Sequence, residues 1–414
     1  MRQVRWAGWT TALAAALLIG GQTRVRADIA SDKPAAVVVY PKVQVSGANG
    51  VDTTIRLANT NTTNPINVHC YYVNASSYCV GGTNPGENCT LSPTVCQGGG
   101  VCLPSWQETD FRIVLTAGQP IEWVASEGLS DNDLPLPRGV CVRNPTRQCG
   151  SDADCNPFPG GTCTQSNAGT RIPPVPDDPF IGELRCIAID AQGNPIPRND
   201  LKGEGQVVTV PSDPVVFFGG YVDIAGYNAI GIQATGQSDG VANQLVLGPG
   251  RSGEYNGCPN YLIVNHFFDG AANPVPGTNA TINTNLVLVP CSTDYLRQIP
   301  GLAVAQYLVF NEFEQRFSTS RAVRCYQDIQ LSRIDTANSA RSIWNVSVAG
   351  TLTGQTRINP IGVPSTNPPS IPSGLLGIAV ETHTAPAIPT RRTSAAFNIH
   401  MAGDRDAADV MIIP

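Results

Sequence analysis

Lysine is nearly absent from this chain: Lys33, Lys42 and Lys202 are the only three in 414 residues. Charged side chains make up 14% of the sequence and the formal net charge is −6, so no basic tract is available to engage nucleic acid or an anionic membrane surface. Histidine is almost as scarce. His69, His266, His383 and His400 are scattered singly, and none stands at a metal-ligand spacing from another. No HExxH, P-loop or CxxCH motif occurs, which removes the usual residues of zinc proteolysis, nucleotide hydrolysis and covalent haem attachment. Apolar periodicity of 3.6 residues is missing beyond the N-terminus, and with it any long amphipathic helix. No cofactor, no metal and no catalytic residue is expected on these grounds.

What the chain does have begins with an export signature. Arg2 and Arg5 precede a short apolar stretch, densest over residues 12–19, and Val25-Arg26-Ala27 closes it with the small-x-small pattern of a signal-peptidase site. The run is too short to cross a bilayer, so residues 1–27 are expected to be a secretory signal peptide. No later run approaches the roughly 20 apolar residues of a membrane helix, so no transmembrane segment is expected in the mature chain. Removing residues 1–27 takes away four arginines and no acid, moving the net charge from −6 to about −10. The expected location is secreted, either extracellular or on the cell surface.

Glycine and proline together number 75, and between them lie strand-length runs rich in Val, Ile, Thr and Tyr. This texture predicts an all-β fold. The mature length exceeds the roughly 250–300 residues that one core organises. Two tandem β-sandwich domains of immunoglobulin-like or related topology are therefore expected, at residues 28–240 and 241–414. Residues 66–73 alternate Ile66, Val68, Cys70 and Tyr72 against Asn67, His69 and Tyr71, which predicts a half-buried strand with His69 on its polar face. Pro41 marks residues 35–45 as an edge strand or a bulge. Residues 111–124 read as a hairpin turning at Ala117-Gly118-Gln119-Pro120, and residues 322–331 and 343–352 read as strands. A strand–turn–strand ending in Val-His-Cys-Tyr over residues 55–71 is echoed by one ending in Val-Arg-Cys-Tyr over 308–326. The echo fits either duplication of one sandwich or repetition of strand–turn grammar.

Thirteen cysteines are present, and eight fall in two compact clusters, Cys79/Cys89/Cys96/Cys102 and Cys141/Cys149/Cys155/Cys163. Both clusters are crowded with Gly, Pro, Asn and Ser and have too few apolar residues to build a core. Covalent staples are what such segments need to hold a shape. With no CxxC pair and no histidine inside either cluster, disulfides are expected rather than zinc, as loops inserted at 79–102 and 141–163 of the first domain. Connectivity within each cluster has three possibilities. Cys70 with Cys186, and Cys258 with Cys291, are further disulfide candidates; that leaves Cys325 as a buried thiol.

The second cluster contains Cys149-Gly-Ser-Asp-Ala-Asp-Cys155, followed by Gly160-Gly161-Thr162-Cys163. It resembles the short cysteine-rich repeats of secreted proteins, including large bacterial exoproteins, and the first cluster looks like a variant of it. The resemblance spans about fifty residues and implies location rather than activity. Asp152 and Asp154 read as turn-forming acids, with calcium ligation the alternative.

Glu312 and Glu314 form the one acid–amide cluster, beside Asn311, Gln315 and Arg316, and a solvated hairpin accounts for it. Trp106, Trp123, Trp344, Tyr221 and Tyr227 are the aromatic candidates for stacking on sugar, although each falls in a strand pattern and reads as core. The expected function is a non-enzymatic structural or recognition protein with a surface or extracellular ligand, protein or glycan. A carbohydrate-binding module or carbohydrate-active enzyme is the alternative. A self-assembling surface subunit is a third, if residues 35–45 or 409–413 present unpaired strand edges.

Overall fold

In a computed structural model, the chain is described over residues 29–129, 139–141, 144–149, 172–210, 222–248, 253–275, 277, 279–385 and 392–414. Its first thirteen strands are β1 (Val37–Val45), β2 (Val51–Asn59), β3 (Ile66–Asn74), β4 (Ser77–Val80), β5 (Val101–Pro104), β6 (Gln107–Leu115), β7 (Pro120–Val124), β8 (Gly139–Cys141), β9 (Asn144–Cys149), β10 (Phe180–Ile189), β11 (Leu201–Thr209), β12 (Asp223–Asn228) and β13 (Ile230–Ile232). Fifteen more follow: β14 (Gln244–Leu247), β15 (Pro259–Phe267), β16 (Ala271–Ala272), β17 (Thr281–Pro290), β18 (Thr293–Asp294), β19 (Ile299–Asn311), β20 (Arg316–Arg324), β21 (Gln327–Gln330), β22 (Thr353–Gly362), β23 (Ser365–Thr366), β24 (Pro369–Pro372), β25 (Leu375–Thr384), β26 (Arg392–Asn398), β27 (His400–Asp404) and β28 (Asp409–Ile412). A single turn of helix, α1 (Val346–Ala349), is the one α-helix among the described residues. The protein is all-β.

In the first half, a five-stranded sheet ordered β13-β1-β10-β3-β6 faces a four-stranded sheet ordered β12-β11-β2-β7. The reason is visible in β2, whose residues alternate buried and exposed along VDTTIRLAN, one face turned to the opposing sheet. Trp123 of β7 donates its indole N–H to the Tyr72 hydroxyl of β3 at 2.6 Å and meets Phe111 edge-on at 6.2 Å. The two sheets are thus joined through aromatic side chains whose polar ends are paired. In the second half, β14, β28, β18, β19, β22, β15 and β27 form one sheet, with β20 and β24 on β19, and β16, β17, β25 and β26 form the other, with β21 on β17. Trp344, fully buried between them, donates to Thr356 Oγ1 at 2.8 Å.

A core cluster runs through both halves. It joins Val38, Val68 and Ile187 to Val287, Tyr295, Ile378 and Met411. At the seam, Tyr71 stacks on Tyr295 with ring centroids 4.1 Å apart. Lys42 forms a buried ion pair with Asp328. Ser394 donates to Asp223 through its amide and hydroxyl, each at 2.7 Å. Strand β10 is buried along almost its whole length because one face meets the opposing sheet and the other meets the second half.

This seam overturns the expectation for His69. The ring is fully buried rather than on a polar face, held by Asp110 at 2.6 Å and the Tyr71 hydroxyl at 2.8 Å. Other expectations are corrected in whole or in part. Strand β1 is not an edge, since β10 and β13 flank it, although its pairing does shift at a bulge between Tyr40 and Val43 that accommodates Pro41. Residues 111–124 are not a hairpin: β6 and β7 belong to opposite sheets. The turn between them is tied down by Asn59, whose side-chain amide donates to the Thr116 carbonyl at 2.9 Å. Residues 343–352 form no strand, because Asn345 caps α1 by accepting from the Ser347 amide. Residues 322–331 break at Cys325, whose φ of 66° ends β20 before β21 begins on another sheet. The echoed segments differ in topology too, since β2 and β3 lie in different sheets whereas β19 and β20 pair with each other. Residues 409–413 are not an open edge either, because β28 pairs with both β14 and β18.

Candidate functional site

Five strands, β27, β15, β22, β19 and β20, lie side by side in the larger sheet of the second half. Their inward residues are core: Leu262 and Val264 on β15, Ala303, Ala305, Tyr307 and Val309 on β19, and Thr356 and Ile358 on β22. The alternating positions point to solvent, and the strand register sets them in rows. One row runs His400, Ile263, Arg357, Leu308, Ser318, and the next runs Asn265, Gln355, Phe310, Arg316. On the other side, Asn359, Gln306 and Ser320 are paired across β22, β19 and β20.

The polar groups on this face are organised. Gln355 donates its amide to Asn265 Oδ1 at 3.0 Å and accepts from Arg357 Nε at 3.1 Å. The Arg357 guanidinium stands 5.6 Å from the centre of the Phe310 ring, a cation–π geometry that holds the cation along the sheet. A groove of about 800 Å³ crosses the face, lined by Tyr261, Gln306, Ser318, Ser320, Arg357 and Asn359 among others. Tyr261 is 39% exposed and is the exposed aromatic ring of the groove's lining. Amide and hydroxyl groups dominate the lining, Arg357 carries its one charge, and no carboxylate contributes.

Toward the β19–β20 turn lies a smaller cleft of about 410 Å³, bordered by His266, Phe310, Glu312, Gln355 and Glu381. Here the structure places the expected acid–amide cluster. Asn311 builds the turn, accepting from the amides of Phe313 at 3.0 Å and Gln315 at 2.9 Å, and Glu314 takes a left-handed φ of 60°. Glu312 accepts from the Thr353 hydroxyl at 2.5 Å and its amide at 3.0 Å, and these bonds hold its carboxyl below the usual range. His266 is buried, bonded to Thr356 Oγ1 at 2.8 Å, and burial pushes its pKa down to about 4 against the opposing pull of the Phe267 carbonyl. Glu381 is bonded to His383 at 2.6 Å.

Of the aromatic candidates, Trp123, Trp344 and Tyr227 are core. Trp106 is partly buried at the seam, its ring 6.2 Å from Tyr295. Tyr221 lies outside the described residues. Tyr261, Gln306, Arg357 and Asn359 were not among the candidates; the signal for them was the alternation of β15, β19 and β22.

Among the cysteines, Cys79 is joined to Cys96 and Cys89 to Cys102, with β4 and β5 pairing inside the stapled loop. Cys70 is joined to Cys186, and Cys258 to Cys291. Cys325 is a free, buried thiol. Cys141 is buried and disulfide-bonded. Cys155, Cys163, Asp152 and Asp154 lie outside the described residues, as do residues 1–27, and the side chain of Cys149 is not described. Two groups of metal-ligand type occur among the described residues, Cys79/Cys89/Cys96 and Cys258/Cys291/Asp409, and all their sulfurs are engaged in disulfides.

Two segments carry catalytic or cofactor spellings without the matching architecture. Gly236-Gln237-Ser238-Asp239-Gly240 spells GxSxG, but no helix follows it and the Ser238 hydroxyl accepts from the Gly240 amide at 3.2 Å. Gly248 to Gly253 spells GxGxxG after β14, yet the next element among the described residues is β15, not the helix N-terminus that a pyrophosphate requires. No family model matches the chain, and no curated protein matches it.

Proposed function

We propose that the protein is an exported, non-enzymatic recognition protein of the extracellular space or cell surface, and that it binds neutral glycans through the outward face of β15, β22, β19 and β20. The observation that carries this reading is the groove itself. Planar amides, hydroxyls and an exposed tyrosine ring, with a single charge and no carboxylate, supply the in-plane hydrogen bonds and the flat stacking surface that a sugar ring needs. Export is supported by the signal-like residues 1–27 and by the disulfides, which persist in oxidising compartments. Binding without cleavage is favoured because no carboxylate lines the groove, whereas glycoside hydrolysis needs a pair of them.

The test is an array of neutral and acidic oligosaccharides probed with the mature protein. Retention of neutral oligosaccharides is expected, with Tyr261→Ala weakening it about tenfold, the equivalent of roughly 1.4 kcal/mol. Retention of no glycan, or binding indifferent to Tyr261→Ala, would overturn the reading.

A further inference from the structure

A third concavity, more apolar than the groove, lies where the first stapled loop meets the second half of the chain. Its volume is about 770 Å³, within the range of sites that take one small organic molecule, and junctions between structural units are where such sites concentrate. One wall is Leu103, Pro104 and Trp106, leading out of β5; the other includes Pro300, Ile329 and Pro368. The first wall is fixed, because Cys102 next to Leu103 is bonded to Cys89 and β5 is paired with β4. A pre-shaped apolar slot loses little entropy when it is filled.

The polar groups of the slot are unbalanced. Arg321 and Arg324 line it and each gives one N–H to a backbone carbonyl, of Ile334 and of Pro369, leaving further guanidinium donors. The one carboxylate in the lining, Asp328, is engaged by Lys42 and by Asn285. Positive charge therefore goes uncompensated in a chain whose net charge is −6. At the floor, the Cys325 thiol is pushed up by burial and further by the Glu183 charge, so it stays protonated and is no nucleophile.

We propose that this slot is a binding site for a small aromatic carboxylate. The ring packs between Trp106 and the prolines, and the carboxylate meets Arg324. Binding is non-covalent and independent of the glycan face.

The experiment is isothermal titration of the mature protein with indole-3-acetate and 4-hydroxyphenylacetate, each against its primary amide. Both acids are expected to bind at least tenfold more tightly than their amides. Arg324→Gln should erase that preference, Trp106→Ala should weaken acid and amide alike, and Tyr261→Ala should change neither. The proposal is overturned if neither acid binds at millimolar concentration, or if acid and amide bind equally. Neutral-glycan binding measured on the same preparation shows separately whether the sheet-face reading stands.

Discussion

Replacing Arg185 by methionine is the most demanding perturbation of the seam. Arg185 and Glu183 are both buried on β10, and the guanidinium grips both carboxylate oxygens, with Nη2 at 2.8 and 3.0 Å. It also donates across the seam to the carbonyls of Pro290 and Cys291. Arg185→Met keeps the apolar stem but leaves a carboxylate and two carbonyls buried without their donor. Removing one member of a buried pair costs about 3–5 kcal/mol, a large part of the roughly 5–15 kcal/mol of a folded protein. Burial already pushes the Glu183 carboxyl up, with Arg185 opposing; without Arg185 that push is unopposed. The folded variant then holds a proton that the unfolded chain releases near pH 4.3, so it loses stability as pH rises above that value and regains it toward pH 4. Urea unfolding followed by tryptophan fluorescence should show a loss of about 3–5 kcal/mol at pH 7, shrinking on acidification. Adding Glu183→Leu removes the orphaned charge and should restore stability to within about 2 kcal/mol of wild type, the remainder being the two carbonyls. A single variant within about 1 kcal/mol of wild type at pH 7, or a double variant no better than the single, would refute the reasoning.

Opening Cys89–Cys102 by paired alanine substitution should loosen the stapled loop alone. Its closed loop is worth about 3 kcal/mol by chain entropy, and hydrogen exchange should accelerate in β4 and β5 but not in β10. Cys325 should be the one thiol titrated in unfolded, non-reduced protein with all disulfides formed, and it should react much more slowly in the native state; rapid native labelling would contradict its burial. The Glu108 carboxyl is pushed up to about 7 by burial, with Asp110 adding to it. The folded state therefore keeps a proton that the unfolded chain loses, and Glu108 makes stability fall as pH rises from about 4.5 to 7. Glu108→Gln should flatten that slope in urea titrations at a series of pH values.

The strands were legible where one face met a core and the other met water. β2 and β19 show that alternation almost residue by residue, and the all-β class followed from it. It failed where a strand is covered on both faces. β3 reads as half-polar because of Asn67 and His69, yet the second half packs on it and the buried His69 ring bridges the Tyr71 hydroxyl to the half-exposed Asp110 carboxylate. Turn residues announced a reversal after Leu115 but carried no information on which sheet receives the chain, so an inter-sheet connection read as a hairpin. Ile343 and Trp344 look like strand residues by type, and only the cap at Asn345 distinguishes them. The outward face of β15, β19 and β22 was invisible for a different reason: these strands are neighbours in space but not in sequence. No local pattern places Gln306 beside Asn359, or Arg357 between Ile263 and Leu308.

The central claim is that an amide-rich sheet face recognises neutral sugar. The most direct measurement is calorimetric titration of the mature protein with a neutral oligosaccharide drawn from the array, repeated with Tyr261→Ala and with Gln306→Ala/Asn359→Ala. Saturable binding is expected, weakened about tenfold by each variant, with unfolding midpoints unchanged because all three side chains are exposed. Binding of equal strength in wild type and both variants would contradict it.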